Sequence, residues 1–143
     1  MNNKIDFKLR EVYADDFEKI FPLFRELWDN MELSKEKSYE YFSQKIFLKE
    51  KKGICAETDG KIIGYVALIK NGKIGYVNEL IVDPAYRMMG VGESLMNAIL
   101  RLGLNLGCKK IELYSGNHRK EAIRLYKKLG FKEYDINYYS KDI

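Results

Sequence analysis

The sequence predicts an α+β fold built on a mixed β-sheet, and three observations support this prediction. Three apolar runs within residues 54–83 are separated by Asp59-Gly60 and Asn71-Gly72, which are strong signals for tight β-hairpins. Residues spaced as in amphipathic helices precede this region, and helical and strand-like stretches alternate after it. The expected order is β-α-α-β-β-β-α-β-α-β-β, with six to seven strands and about four helices in one domain of residues 1–143.

The N-terminal region predicts one strand followed by two helices. Phe7 and Leu9 alternate with polar residues as in a strand, and Ala14-Asp15-Asp16 offers a helix start. The apolar residues that follow recur at helical spacing; they are Phe17, Ile20, Phe21, Phe24 and Leu27. Pro22 lacks an amide hydrogen and is expected to kink or re-cap this helix. A second helix is expected over residues 34–49, capped by the serine at its start.

Two helices and three strands are expected after the hairpins. The first helix carries an apolar stripe and closes at Gly107, a candidate left-handed cap. The stripe consists of Val91, Leu95, Ile99, Leu102 and Leu106. A strand over residues 109–115 and a helix over Lys120–Leu129 follow, and Gly130 ends that helix. The tail “FKEYDINYYSKD” predicts two short strands joined near Asp135.

The composition indicates a soluble protein of the reducing cytoplasm. Lysine and arginine exceed aspartate and glutamate by 25 − 21 = 4, and this excess is spread along the chain, so nucleic-acid binding is not predicted. No apolar run approaches the ~20 residues of a membrane helix, and the N-terminus lacks the apolar region of a signal peptide. Cys55 and Cys108 lie in separate apolar segments without metal-ligand spacing, so we expect buried thiols and no metal.

A pair of glycines opens the helix that follows the third hairpin strand, within “VDPAYRMMGVGESL”. Such a turn exposes backbone amides at the positive end of the helix dipole, where a phosphate or pyrophosphate is favoured. A Walker loop is absent, and a dinucleotide fingerprint would need a third glycine where Leu95 stands. Residues 83–89 also separate the strand from Gly90, so kinase and dehydrogenase functions are not predicted.

Two segments carry a resemblance to a known family. The stretch “ELIVDPAYRMMGVGESLM” resembles the Arg/Gln-x-x-Gly-x-Gly/Ala signature with which the GNAT superfamily of N-acyltransferases binds acyl-CoA. “EAIRLYKKLGF” resembles the Ala-x-x-x-Tyr-x-x-x-Gly-Phe segment of the same family, and the expected strand order agrees over nearly the whole chain. The resemblance implies a GNAT fold and the direct transfer of an acetyl group from acetyl-CoA to a primary amine.

The resemblance also implies how coenzyme A would bind. Its pyrophosphate would lie on the loop and helix start, at Arg87, Met88, Met89, Gly90, Val91, Gly92, Glu93 and Ser94. Its pantetheine arm would lie between two separated strands, against the backbone of Leu80, Ile81 and Val82. Many relatives have asparagine three residues before the helix alanine, whereas this chain has Arg119 there and Asn117 two residues earlier. Both are expected cofactor contacts, Arg119 through a phosphate.

The chemistry needs a neutral amine, a polarised carbonyl and a proton for the departing thiolate. Tyr126 stands at the family's tyrosine position, which implies that it contacts coenzyme A and protonates its sulfur. Glu79 lies between Val77 and Ile81 on one face of a predicted strand and is the expected base. A water held near Asn78, with a strand bulge exchanging the side chains, is the open alternative.

The acceptor and partners follow from the resemblance only in outline. The implied acceptor pocket comprises Trp28, Asp29, Asn30, Met31 and Glu32 facing Tyr134, Tyr138 and Tyr139. Acidic and aromatic groups suit a cationic amine, on a small molecule or on a protein. Pairing of the C-terminal strands between two copies would form a homodimer, which is common in the family. A non-catalytic acyl-CoA-binding sensor is the alternative function.

Overall fold

The computed structural model describes residues 5–27, Glu36 and residues 51–143 of the chain. The strands in these ranges are β1 (Lys8–Glu11), β2 (Lys51–Thr58), β3 (Lys61–Asn71), β4 (Ile74–Val82) and β5 (Lys110–Leu113). The helices whose bounds lie in these ranges are α1 (Phe17–Leu27), α2 (Val91–Asn105) and α3 (Lys120–Lys128). Short 3-10 turns occupy Ala14–Asp16 and Pro84–Tyr86. None of the described helices is both long and apolar enough to cross a membrane.

The five described strands form one sheet in the order β1-β2-β3-β4-β5. All neighbours are antiparallel except β4 and β5, which run parallel. In the first turn both central residues, Asp59 and Gly60, have positive φ, at 48° and 77°, as in a type I′ turn. The second turn consists of Gly72 and Lys73, because Asn71 is the last residue of β3. Only Gly72 has positive φ there, at 61°, as at the first central position of a type II′ turn. The predicted meander of β2, β3 and β4 is confirmed, as is the α+β class.

Helices cover both faces of the sheet, so the central strand β3 contributes to two apolar clusters. The cluster on the α1 side contains Val12, Phe17, Ile20, Leu23, Phe24, Cys55, Ile62, Tyr65, Ala67 and Ile81. The cluster on the side of α2 and α3 contains Ala56, Ile63, Val66, Leu68, Val77, Leu80, Val91, Leu95, Met96, Ile99 and Tyr126. Because β3 is buried on both faces, its sequence is a nearly continuous apolar run.

Both predicted glycine caps are confirmed. Gly107 follows α2 with a φ of 86°, and Gly130 follows α3 with a φ of 92°. After α3, the Gly130 amide donates to the Lys127 carbonyl at 3.1 Å and the Phe131 amide donates to the Tyr126 carbonyl at 3.0 Å. This pair of bonds is the Schellman motif, which satisfies the last carbonyls of a helix. The motif fixes the helical turn that carries Tyr126.

The described chain departs from the prediction at its C-terminus. We expected two short strands after α3, but residues 131–143 contain no strand, and the described sheet has five strands rather than six or seven. A strand needs a backbone partner, and the side chains of Tyr134, Ile136 and Tyr138 are 69%, 64% and 86% exposed. The alternation in the tail indicates strand propensity, but it does not supply that partner.

Two predictions concern the region around α1. Pro22 lies within α1, which continues to Leu27, so Pro22 does not re-cap the helix. The second helix, predicted over residues 34–49, lies outside the described residues apart from Glu36, which is helical.

A group of charged side chains joins β1, β2 and the start of α1. The Arg10 guanidinium donates to both oxygens of Asp16, at 2.9 and 2.8 Å, and to Oε2 of Glu57, at 3.0 and 2.8 Å. Asp16 also accepts a 2.8 Å bond from the Tyr13 amide, and its side chain is only 10% exposed. The hydrogen bond from Arg10 lowers the pKa of Asp16 below its ordinary value, although burial opposes this.

We expect Asp16→Asn to lower the free energy of unfolding by about 1–3 kcal/mol at neutral pH, because it weakens a buried bidentate pair. Since the pKa of Asp16 is lowered in the folded protein, this stabilisation is present above the carboxyl's ordinary pKa and is lost as pH falls through the folded value. The difference from wild type should therefore shrink in acid. Urea unfolding at several pH values measures it, and Asp15→Asn, at an exposed neighbour, is the control. Equal loss in both variants would contradict the assignment.

Candidate active site

The parallel pair β4 and β5 separates halfway along β4. Residues 74–77 of β4 pair with residues 110–113 of β5, and β4 then continues to Val82 paired with β3 but not with β5. After β5 the chain passes through residues 114–119 to the start of α3. The β5-facing edge of residues 78–82 therefore lies beside a gap, which we call the β4–β5 gap. An extended ligand bearing amide groups could bond to this edge as an added strand would.

A β-bulge interrupts β4 on its other edge. Tyr65 pairs with Ile81 and Ala67 with Asn78, so that Val66 alone faces two residues of β4. One of these two is Glu79, which has a φ of 59°. A left-handed backbone is costly for a residue with a side chain, by about 1–2 kcal/mol, so the surrounding sheet must hold it. The bulge reorients the Glu79 side chain relative to a regular strand.

The Glu79 carboxylate forms a buried ion pair with Lys51, the first residue of β2. The Lys51 Nζ lies 3.4 and 3.3 Å from the two oxygens of Glu79. The side chains are 0% and 3% exposed, respectively. Two charges withdrawn from water are tolerable together, but either one alone would be costly. Sequence reasoning missed Lys51, because a Lys-Lys pair at a strand start normally indicates solvated side chains.

The loop after β4 is capped by Asp83 and lies at the surface. The Asp83 amide donates to the Ile63 carbonyl at 2.8 Å, and its Oδ1 accepts from the Ala85 amide at 2.9 Å. Arg87 is exposed, and its Nε lies 3.4 Å from the Val82 carbonyl oxygen. Met88 is 90% exposed. The loop thus leads from the end of the β4–β5 gap to the start of α2.

The start of α2 has the features of an anion site. Gly90 has a φ of 81°, and a Cβ added there would meet no atom within 4 Å. At Gly92 an added Cβ would lie 3.6 Å from the nearest side-chain carbons. The Ser94 amide makes a 3.0 Å bond to the Gly90 carbonyl, so the amides of residues 91–93 precede the first helical bond. Open space, free amides and the helix dipole together suit a diphosphate.

Tyr126 projects from α3 into the core beside the β4–β5 gap. It is 7% exposed and packs edge-on against Phe131, with the ring centroids 5.9 Å apart. Burial raises the pKa of the Tyr126 hydroxyl above its ordinary value, and the adjacent Arg119 guanidinium partly opposes this increase. Tyr126 therefore stays protonated near neutral pH and is available as a proton donor.

Arg119 reaches across the β4–β5 gap. Its Nη2 donates a 2.8 Å hydrogen bond to the carbonyl of Leu80, in the part of β4 that lacks a β5 partner. Asn117, by contrast, is exposed. It lines an open cavity of about 560 Å³ with Lys120, Ile123, Arg124, Lys127 and Glu133. Asn117 is an expected cofactor contact, and Lys120 and Lys127 are further candidates for contact with a phosphate of coenzyme A.

The other predicted site residues divide into two groups. The edge of β4 beyond the β5 pairing contains Leu80, Ile81 and Val82, and the predicted residues 87–94 follow it through the loop. The predicted acceptor residues 28–32 lie outside the described residues. Their expected partners Tyr134, Tyr138 and Tyr139 are 69%, 86% and 86% exposed. The predicted coenzyme A contacts in β4 and residues 87–94 are thus consecutive in the described structure, and both the donor side and the acceptor side stay predictions.

The two cysteines are buried. Cys55 is 0% and Cys108 is 7% exposed. Burial raises the pKa of the Cys55 thiol to about 11. A buried thiol of this kind is largely protonated and makes a poor nucleophile. The prediction that these residues are core thiols therefore agrees with their surroundings.

Comparison with known proteins identifies similar sequences over most of the chain. A model of the acetyltransferase (GNAT) family matches residues 11–131. An uncharacterized N-acetyltransferase of Archaeoglobus fulgidus is 31% identical over 121 residues, which cover 78% of this chain and 82% of that protein. One from Methanocaldococcus jannaschii is 28% identical over 142 residues, covering 91% of this chain. The chain spans 62% of the length of the M. jannaschii protein and 60% of a matching Trypanosoma brucei protein.

Solved structures share the fold. The aminoglycoside N-acetyltransferase AAC(6')-Iy, in complex with CoA, superposes with a TM-score of 0.85 at 19% identity, covering 96% of each chain. The glucosamine-6-phosphate N-acetyltransferase of Arabidopsis thaliana has a TM-score of 0.77 at 20% identity, covering 96% of this chain and 99% of its own. At these identities the similarity establishes the architecture and leaves the acceptor undetermined.

We expect Lys51→Met to lower the free energy of unfolding by about 3–5 kcal/mol, because it leaves the Glu79 carboxylate buried without its ion-pair partner. Adding Glu79→Gln should recover part of this loss by removing the uncompensated charge. Lys52→Met, at the 43% exposed neighbour, is the matched control and should cost less than about 1 kcal/mol. Chemical unfolding measures all three, and a Lys51→Met protein as stable as Lys52→Met would contradict the buried pair.

Proposed function

This chain belongs to the acetyltransferase (GNAT) family, and we propose that it transfers an acetyl group from acetyl-CoA to a primary amine within a ternary complex. One observation carries the proposal: β4 separates from β5 and leads, through an exposed loop, to a glycine-opened helix start. A thioester held along β4 with its diphosphate at α2 would present its carbonyl near Tyr126 and the bulge at Glu79. We also propose that the protein acts in the cytoplasm.

The residues proposed to hold coenzyme A fit its chemistry. Amides of residues 91–93 and the Arg87 guanidinium would neutralise the diphosphate, while the open space at Gly90 lets the ligand approach the backbone. The edge of β4 at residues 80–82 that has no β5 partner would bond to the amides of the pantetheine arm, with the Leu80 carbonyl shared between this arm and Arg119. Acetyl-CoA itself supplies the activated acyl group, so no covalent intermediate on the protein is needed.

The proposed reaction is direct attack of the amine on the thioester. The amine nitrogen bonds to the carbonyl carbon, the C–S bond breaks, and the leaving sulfur takes the proton of the Tyr126 hydroxyl. The proton lost by the nitrogen passes to the Glu79 carboxylate, or to a water held near Asn78. The buried position of Tyr126 supports its assignment as the acid. The position of Glu79 at the bulge, in the part of β4 that has no β5 partner, supports its assignment as the base, and the ion pair with Lys51 orients its carboxylate.

The acceptor is proposed only by class. Relatives and solved structures with this fold include proteins named for acetylation of aminoglycosides, glucosamine 6-phosphate and N-terminal amines. All of these acceptors present a primary amine. We therefore propose an amine acceptor, on a small molecule or a protein, entering from the side of α1.

We expect the protein to release free thiol from acetyl-CoA in the presence of an accepted amine, and Tyr126→Phe and Glu79→Gln to reduce kcat by about 100-fold or more. Acetyl-CoA binding, measured by calorimetry, should change by less than about threefold, because neither side chain is proposed to bind the diphosphate. A panel of amines followed with a thiol reagent provides the assay.

Two matched controls distinguish these roles from general damage. Tyr114→Phe changes a 76% exposed tyrosine, and Glu121→Gln changes an exposed glutamate at the start of α3. Both should retain wild-type turnover. Turnover by Tyr126→Phe or Glu79→Gln equal to that of the controls would remove the residue from the mechanism. Failure to bind coenzyme A would end the acetyltransferase proposal.

A homodimer is proposed from the C-terminal tail. Among the described strands, β5 pairs only with β4, so its outer edge offers free backbone groups. Alternate tail residues Tyr134, Ile136 and Tyr138 are apolar or aromatic and exposed, as a strand without its partner would be. If the tail of each copy paired with the outer edge of β5 in the other copy, both the exposed tail side chains and the β5 edge would be covered. The resulting dimer would have twofold symmetry.

We expect light scattering to give twice the mass of one chain for the wild type and a single-chain mass for Ile136→Asp/Tyr138→Asp, because the two carboxylates would be buried in the interface. Tyr13→Asp, at a 61% exposed tyrosine before α1, is the control and should remain dimeric. A wild-type protein that stays monomeric at high concentration would contradict this arrangement.

A further inference from the structure

Arg119 is the residue before α3, and Tyr126 lies within that helix. The Arg119 guanidinium bonds to the carbonyl of Leu80, and Leu80 and Tyr126 belong to the same buried apolar cluster. Where many members of the family have asparagine, this chain thus has a longer, cationic residue. The fold therefore brings a guanidinium to the neighbourhood of the candidate acid.

The Arg119 guanidinium also connects α3 to the sheet. Its Nη2 donates to the Leu80 carbonyl at 2.8 Å, and Leu80 is 5% exposed in the unpaired part of β4. Arginine carries five N–H donors in a rigid plane, so one donor can hold the strand while others face the tyrosine. This bond fixes the guanidinium within the β4–β5 gap. It does not direct Arg119 toward the start of α2.

The electrostatic effect on Tyr126 is consistent with this placement. Burial raises the pKa of the Tyr126 hydroxyl, and the neighbouring Arg119 charge acts in the opposite direction. An acid that must release a proton quickly benefits from a nearby cation, because the cation stabilises the phenolate that forms. Arg119 thus offsets a cost that the burial of Tyr126 imposes on proton transfer.

We propose that Arg119 is a positioning residue, which holds the Tyr126 hydroxyl at the β4–β5 gap and stabilises the phenolate that forms as the thiol leaves. This inference rests on the proposed function. In the step concerned, the C–S bond breaks, the sulfur takes the proton from the Tyr126 oxygen, and the resulting phenolate stays beside the guanidinium until it regains a proton from water. Arg119 neither gains nor loses a proton.

The ionisation of Tyr126 tests the inference without turnover. In protein carrying ¹³C at the tyrosine ring carbon bonded to oxygen, the Tyr126 signal is assigned with Tyr126→Phe and titrated by NMR. Arg119→Met should move the titration to higher pH, because the opposing cation is gone, whereas Arg119→Lys should stay closer to wild type. Arg124→Met makes the same replacement at an exposed position of α3 and should leave the titration unchanged. An unshifted titration in Arg119→Met would overturn the inference.

Kinetic measurements distinguish this positioning role of Arg119 from the contact with a phosphate of coenzyme A that the sequence analysis predicts for it. Arg119→Met should lower kcat by about tenfold or more, while the KM for acetyl-CoA changes by less than about threefold. In a Tyr126→Phe background the same replacement should have little further effect on kcat, because Arg119 acts through Tyr126. Equal weakening of acetyl-CoA binding in both backgrounds would assign Arg119 to the cofactor instead and overturn the inference.

The two experiments also distinguish the inference from the proposed function. If no amine is acetylated but the Tyr126 titration responds to Arg119, the pairing of the two residues stands and the proposed reaction fails. If amines are acetylated and Arg119→Met behaves as Arg124→Met in both experiments, the reaction stands and the inference fails. Thermal melting of each variant confirms that the compared proteins are folded.

Discussion

The separation of β4 from β5 after residue 77 is the constraint on which the candidate site depends. A regular parallel pair would use the amides and carbonyls on the β5-facing edge of residues 78–82 to bond to β5 and leave none of them for a ligand. Here the end of β5 sends the chain away from the sheet, and α3 brings Arg119 and Tyr126 to the side of β4 that β5 has left. The Schellman motif at Gly130 then holds the turn from which Tyr126 projects. Backbone groups of β4 therefore line one side of the gap, and the side chains of Arg119 and Tyr126 line the other.

Charge is distributed unevenly on the two sides of β4. On the α1 side, the bulge at Glu79 brings a carboxylate against Lys51, and both charges are withdrawn from water. On the gap side, the guanidinium of Arg119 meets a carbonyl and a tyrosine hydroxyl. β4 thus separates a buried carboxylate from a buried tyrosine hydroxyl. The proposed mechanism uses the first to accept a proton and the second to donate one.

Local rules allowed much of the fold to be predicted. The hairpins follow from Asp59-Gly60 and Asn71-Gly72, and the helix ends follow from Gly107 and Gly130, because only glycine or a similar residue adopts the required positive φ cheaply. The start of α2 follows in the same way from the glycines after Arg87. These are all statements about a few neighbouring residues. The family resemblance then extended them to the order of the strands.

The remaining features depend on contacts between distant residues. Lys51 is buried because Glu79, 28 residues away, lies against it, and Arg119 finds its carbonyl 39 residues away. The left-handed backbone of Glu79 arises from a mismatch between two strands, which no property of glutamate predicts. The tail was assigned to strands from its alternation, although a strand also requires a partner that the described chain does not offer.

The tight turns of the meander have a consequence for the order in which the molecule assembles. β2, β3 and β4 are joined by turns of two residues, so their contacts close short loops at little entropic cost. The parallel contact of β4 with β5 must instead wait for α2 to span the distance between them. We expect the meander, with the Lys51–Glu79 pair inside it, to form early and the β4–β5 gap to form afterwards. A nascent chain would then acquire its candidate base before it could engage a thioester.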